Sequence, residues 1–229
     1  MKAQPQIEAL LLPGPWTHRF VSANGSRFHI AECGDGPLVL FVHGFPDCWW
    51  SWRAQLPVFG EAGYRAVAMD LRGYGASDKP PRGYDAYTLA ADIAGVIRAL
   101  GERNAILVGH DWGGFLGWSA AAFHPKLIRG LAVVSAAHPL SLRRAMLRDR
   151  RQISALSHMF AFQLPRYEHV LTRDDGSYIR QLVQRWAAPD WRDTEACDEY
   201  SAACALAMGT NHAAFCALEY YRWTVRSLT

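Results

Sequence analysis

Asn104-Ala105-Ile106-Leu107-Val108-Gly109-His110-Asp111-Trp112-Gly113-Gly114 decides the fold. Residues 104–108 read as a buried strand, and the glycines then turn the chain into a helix over 112–123 that ends before Pro125. On that helix Gly113, Gly117, Ala120 and Ala121 share one face, so it can lie close against a sheet. Strand, tight turn and small-residue helix in that order are the setting of a nucleophile elbow. Small residues at 109 and 113 permit a strained turn that lifts the central side chain into a cleft. That central residue is Asp111, where Ser or Cys would serve acyl transfer. A carboxylate attacks amides poorly, but against an electrophilic sp³ carbon with a leaving group it forms an ester. Holding the partners in line supplies roughly 7–11 kcal/mol of the barrier. Asp is also a favoured N-cap, so simple capping is the competing role for Asp111.

Upstream, residues 17–23 and 26–33 read as two strands joined by Asn24-Gly25, a hairpin signal. The continuous apolar run 37–42 suits a strand covered on both faces. A helical stretch follows at 48–62, a second buried strand at 65–69, and an amphipathic helix at 88–101. Residues 128–134 are a further strand. Strands alternating with helices predict an α/β fold with a mostly parallel sheet. Ligands then bind beyond the strands' carboxyl ends, after Val42, Met69, Val108 and Val134. From Pro139 the pattern turns all-helical, which divides the chain into a core over 1–138 and a helical cap over 139–229.

After the strand ending at Val42 comes His43-Gly44-Phe45-Pro46. Backbone N–H groups of this turn and of the residue after the nucleophile, Phe45 and Trp112, can form an oxyanion hole. His43, Gly44, Pro46, Gly109, His110 and Gly113 complete the two motifs, and both histidines are expected to be structural. Asp70, at a strand end, reads as a turn-former, and Cys48 lacks the partners of a catalytic thiol.

Three segments, HGFPDCWWSWRAQLP (43–57), DLRGYGASDKP (70–80) and GHDWGG (109–114), resemble the epoxide hydrolase branch of the α/β-hydrolase fold. The resemblance runs from about residue 15 to the end of the chain. It implies that Asp111 opens an epoxide beneath a helical lid and that no cofactor or metal takes part. In that family the lid supplies two acids, usually both Tyr, that activate the epoxide oxygen. One matches Tyr221; the other position, set by Phe162-Gln163-Leu164-Pro165, holds His158, a departure shared with a minority of relatives. If the acid is His158 as imidazolium, with an ordinary pKa of about 6.5 against ~10 for Tyr, ring opening weakens above neutral pH. Haloalkane dehalogenases share the Trp after the nucleophile but usually carry a polar residue where Phe45 stands. Fluoroacetate dehalogenases place Arg where this chain has Trp112 and Phe115. An apolar or aromatic epoxide is therefore the expected substrate, with Trp49, Trp50 and Phe115 expected in the pocket. A dehalogenase, or an inactive relative that binds small apolar ligands, are the alternatives.

The family's hydrolytic base, a His with its orienting acid, is expected beyond Thr229, so the chain reads as C-terminally truncated and apt to stall at the ester. Losing a general base costs roughly 10²–10⁴ in rate. The acid position after the sixth strand falls near Ser135, and His138 is a poor substitute base. Leu131-Ala132-Val133-Val134 would then be an apolar sheet edge suited to pairing in a homodimer.

Composition bounds the rest. The 229 residues are 50% hydrophobic with a net charge of +3, too weak to imply nucleic acid. The basic run Arg143, Arg144, Arg148, Arg150, Arg151 reads as a solvated helix face. No apolar run approaches the ~20 residues of a membrane span, and the start lacks a signal-peptide core, so a cytoplasmic chain is expected. Five cysteines without a CxxC argue against a disulfide framework or a zinc site.

Overall fold

The alternate residues of the apolar run 38–42 point to opposite layers. Leu38, Leu40 and Val42 join one hydrophobic cluster, and Val39 and Phe41 join another. Such a strand needs cover on both sides, which is why its sequence is continuously apolar. The computed structural model describes residues 7–227. In it the strands β1 (Thr17–Ala23), β2 (Ser26–Cys33), β3 (Leu38–Val42), β4 (Arg65–Met69), β5 (Ala105–His110) and β6 (Ile128–Val134) form one sheet of order β1-β2-β4-β3-β5-β6. β1–β2 and β2–β4 pair antiparallel; β3 pairs parallel with both β4 and β5, and β5 with β6. Val42 is in register with Met69 and Gly109, so the parallel strands end along one edge.

The β1–β2 turn has positive φ at both Asn24 (46°) and Gly25 (73°), the backbone of a two-residue hairpin. Expected helix 48–62 is split. A 3-10 turn over Trp49–Trp52 precedes α1 (Gln55–Glu61). Trp49 and Trp52 are both buried, and a 3-10 turn brings residues three apart into line. α2 (Ala86–Ala99) begins two residues earlier than expected because Asp85 caps it, accepting a 2.9 Å bond from the Thr88 amide. α3 (Trp112–Phe123) occupies the expected span. β5 runs two residues further than expected, since Gly109 and His110 pair with Val133 and Val134 through backbone groups alone.

Beyond β6 come α4 (Pro139–Arg148), α5 (Arg150–Ala155), α6 (His158–Ala161), α7 (Glu168–Thr172), α8 (Ser177–Trp186), α9 (Pro189–Arg192), α10 (Glu195–Met208) and α11 (Ala213–Arg226). Phe162, Leu182, Leu218 and Tyr221 of this helical part share one buried cluster with Leu40, Phe45 and Leu116 of the sheet part. α4 and α5, which carry the arginine run, bury no residue. His138 caps α4 and lies edge-on to Trp118, outside the cavity described below. β6 has no neighbour on its far side among the described residues, and Val134 is exposed. No described helix is long and apolar enough to cross a membrane.

Asp70 ties the loops at the strand ends together. Its carboxylate is fully buried and accepts bonds from the Trp49 amide (2.8 Å), the Ala76 amide (2.9 Å) and His29 Nδ1 (2.8 Å). Burial alone would raise its pKa, but the bond and charge of His29, the charge of His43 and the Ala76 amide pull it down to about 2. The ordinary unfolded value is about 3.9, so this group stabilises the fold fully above that value and the contribution is lost as pH falls towards 2. Asp70→Ala strands three buried donors and is expected to cost about 3–5 kcal/mol. Urea unfolding from pH 6 to 3 tests this: wild-type stability should fall with acid more steeply than that of the variant, and parallel curves would contradict it.

Candidate active site

Asp111 joins β5 to α3 with φ 51° and ψ −117°, a conformation that L side chains rarely adopt. The turn closes only because its neighbours are glycines. A Cβ on Gly109 would overlap the Gly113 carbonyl, and one on Gly113 would overlap the carbonyls of Val42 and His43. A Cβ on Gly44 would run into the Asp111 side chain itself. Asp111 stands at the N-cap position of α3, yet its carboxylate makes no capping bond. Instead Oδ1 accepts the Phe45 N–H at 2.9 Å, and the nearby Trp112 amide also favours the carboxylate form. The two amides expected to form an oxyanion hole therefore converge on Asp111. Burial raises its pKa, while these amides and the His110 charge oppose the rise.

The carboxylate opens on a cavity of about 440 Å³. Its floor is Phe45, Pro46, Asp47, His110, Asp111 and Ser135, at the carboxyl ends of β3, β5 and β6. Its roof is helical: His158, Val183, Trp186, Trp191, Tyr200 and Tyr221. Tyr221 is buried and lies edge-on to Trp112 (ring centroids 5.0 Å), Phe162 (4.9 Å) and Phe45 (5.5 Å). Burial and the Asp111 charge push its phenol well above the ordinary tyrosine value. Tyr220, one residue earlier, points away from the cavity and donates to the Arg72 carbonyl at 2.7 Å. His158 sits 5.9 Å from the Tyr221 ring and 5.5 Å from that of Trp186. Burial lowers its pKa, and only a backbone bond to Ala155 opposes this.

Three expected pocket residues lie elsewhere. Trp49 is fully buried behind the β3 turn, its indole N–H bonded to the Leu10 carbonyl (3.0 Å) and its ring against Trp16. Trp50 lines a separate cavity of about 1110 Å³ whose walls include Leu12, Glu199 and Phe215 but none of the motif residues. Phe115 packs edge-on against Trp112 and does not reach the Asp111 cavity. His43 is buried, bonds the Gly44 carbonyl (2.8 Å) and accepts the Leu71 amide (3.1 Å). Cys48 is buried, and burial raises its thiol well above the ordinary value. His110, expected to be structural, opens on the cavity. Its Nδ1 lies 3.4 Å from Asp47 Oδ2. Burial disfavours its imidazolium, but the Asp47 carboxylate and the Asp111 charge outweigh that and raise its pKa. Asp47 and Tyr200, whose hydroxyl donates to Asp47 Oδ1, were missed from sequence. The acid directly after HGFP and the His directly before Asp111 were the available signal. The lid wall, Val183, Trp186 and Trp191, carried none.

A family model described as alpha/beta hydrolase fold matches residues 37–206. The chain belongs to that family. Within the alpha/beta hydrolases it is 43% identical to Epoxide hydrolase 3 of Xenopus tropicalis over 152 residues, covering 65% of this chain and 41% of that protein. It is 39% identical to Epoxide hydrolase 4 of Mus musculus over 177 residues, covering 74% and 49%. The crystal structure of Bacillus megaterium epoxide hydrolase in complex with an inhibitor superposes with a TM-score of 0.80 at 32% identity, covering 89% of this chain and 71% of that one. The chain thus spans half the length or less of these two curated relatives.

The geometry separates Tyr220 from Tyr221 by function in the fold. Tyr220→Phe leaves the buried Arg72 carbonyl without its donor and is expected to lower stability by about 1–2 kcal/mol. Tyr221→Phe should lower it by less than half as much, because no backbone carbonyl depends on its hydroxyl. Denaturant unfolding of both variants checks this, and the reverse order would show the two side chains exchanged.

Proposed function

We propose that this chain is an epoxide hydrolase-type enzyme in which Asp111 attacks an apolar or aromatic epoxide. The observation that carries the reading is the Asp111 carboxylate, turned from its own helix onto the Phe45 amide and facing Tyr221 and His158 across one cavity. The names of the relatives support the same chemistry.

In the first step a carboxylate oxygen of Asp111 attacks one epoxide carbon and the C–O bond on that carbon breaks. The electron pair stays on the epoxide oxygen, which takes a proton from the Tyr221 hydroxyl, with His158 as a second hydrogen-bond donor. The product is a 2-hydroxyalkyl ester of Asp111. In the second step water attacks the ester carbonyl, and the Phe45 and Trp112 amides hold the oxyanion. Collapse expels the diol and leaves Asp111 as a carboxylic acid, whose proton returns to the Tyr221 phenolate and so restores both groups. Phe45, Val183, Trp186 and Trp191 give the cavity an apolar wall suited to an aromatic substituent. Phe45 offers no side-chain donor for a halide, and Trp112 and Phe115 offer no cation for a substrate carboxylate.

His158 acts here as a neutral imidazole. Burial lowers its pKa and no carboxylate is hydrogen-bonded to it, so its imidazolium is a minor form at neutral pH. The decline above neutral pH that an imidazolium acid would impose is therefore not expected. Single-turnover alkylation by styrene oxide should stay level between about pH 7 and 9, because Tyr221 also remains protonated there. A rate falling steadily across that range would restore the imidazolium role.

The decisive test is mass spectrometry of the chain after incubation with styrene oxide. One adduct, mapped to Asp111 and absent from Asp111→Asn, is expected. Tyr221→Phe should slow its formation by about 10²-fold or more. A folded chain that gains no adduct on Asp111 would leave only a binding role for the cavity.

A further inference from the structure

Arg65, Arg72 and Arg222 each hold a carboxylate within 3.3 Å. The arginines between β6 and α7 differ. Arg143, Arg144, Arg148, Arg150, Arg151 and Arg166 form no ion pair among the described residues. The one acid of residues 139–167, Asp149, caps α5, and its carboxylate accepts the Arg151 amide at 2.8 Å. Six arginines against one acid make this stretch more positive than the whole chain, whose net charge is +3, so the remaining residues are net negative.

α4 carries that charge in an unusual setting. A surface helix ordinarily turns its leucines to the core and its charges to water. On α4, Leu142, Ala145 and Met146 are half-buried and form the inner side. Leu140, Arg143, Arg144 and Leu147 follow the spacing i, i+3, i+4, i+7 and so share one outer side. Leu140 is 59% and Leu147 80% exposed, and both arginines between them are exposed too. On α5, Ile153 is exposed beside Arg150 and Arg151. Apolar and cationic side chains are thus interleaved on one outward face.

That mixture selects a partner. Guanidinium groups bind phosphate oxygens bidentately. Their long stems let them stay at headgroup level while neighbouring leucines enter the acyl boundary of a membrane. A nucleic acid would take the arginines and leave the leucines in water. A protein would need matching pockets for two leucines about 10 Å apart along the helix. Fluid acyl chains need none.

We propose that the outer face of α4, together with the arginines of α5, seats this protein on an anionic lipid surface, with Leu140 and Leu147 entering the acyl boundary. The contact is peripheral, since no described helix is long and apolar enough to cross a membrane. α5 ends at Ala155, which with His158 and the exposed Trp186 lines the Asp111 cavity. Docking would therefore bring that cavity wall near a phase in which apolar molecules concentrate. The proposal stands on exposure and charge and does not depend on the ester chemistry above.

The test is co-sedimentation of the chain with vesicles of phosphatidylcholine alone and vesicles rich in phosphatidylserine. Binding should require phosphatidylserine and weaken as salt is raised. Each arginine near an anionic surface contributes about fivefold, so the triple variant Arg143→Gln, Arg144→Gln, Arg148→Gln should bind about 10²-fold more weakly. The double variant Leu140→Ser, Leu147→Ser keeps the charge and should bind about tenfold more weakly. Equal sedimentation with both vesicle types, or binding unchanged in the triple variant, would overturn the proposal. A double variant that binds as tightly as wild type would overturn the lipid seat in favour of a polyanion site, and duplex DNA retarded by wild type but not by the triple variant would identify one. Both variants alter exposed side chains; should the triple variant fail to fold, the double variant decides. The vesicle assay involves no reaction at Asp111, so its result and that of the adduct test are independent.

Discussion

The site depends on one hydrogen bond, from the Phe45 amide to Asp111 Oδ1 at 2.9 Å. An aspartate at a helix start would ordinarily turn back and cap its own helix. Here a positive φ aims the carboxylate at the turn after β3 instead. That aim requires the two turns to approach closer than side chains allow, and Gly44, Gly109 and Gly113 are the places where they meet. The register of β3 with β5, Val42 opposite Gly109, sets the approach. Strain at Asp111 is thus held by a sheet whose central strands are buried on both faces.

A second constraint joins the helical cap to this floor. Asp47 follows directly on Phe45-Pro46 and is bound from α10 by Tyr200 and Cys204. Tyr221 of α11 packs on both Phe45 and Trp112, the two residues whose amides hold Asp111. The helical part is therefore positioned by the same short segment whose amide meets Asp111. Asp70 does similar work below, fixing the Trp49 and Ala76 loops through a buried carboxylate.

The sheet was legible because each strand carries its burial in its own residues. A run such as Leu38–Val42 admits few readings, and the elbow at 109–113 needs glycines whatever the rest of the chain does. Asp111, Phe45 and Trp112 could be placed for the same reason. Pocket walls are set by distant packing instead. Trp49 and Trp50 adjoin the HGFP motif in sequence, yet Trp49 is drawn inward by Leu10 and Trp16, and Trp50 turns to another cavity. No local pattern encodes that choice. Asp47 and His110 stood inside the quoted motifs, but their pairing joins β3 to β5 across 63 residues, and Tyr200 reaches Asp47 from still further along the chain. Of the adjacent pair, Tyr221 lines the Asp111 cavity while Tyr220 is bound to the Arg72 carbonyl.

The most direct test of the central claim is the amide chemical shift of Phe45 and Trp112 in an NMR pH titration, wild type against Asp111→Asn. Hydrogen bonding to a carboxylate predicts that both wild-type resonances lie downfield and move together as Asp111 takes up its proton, and that neither moves in the variant. Shifts that are the same in both proteins at every pH would show that these amides do not hold Asp111, and the account of the site would fail.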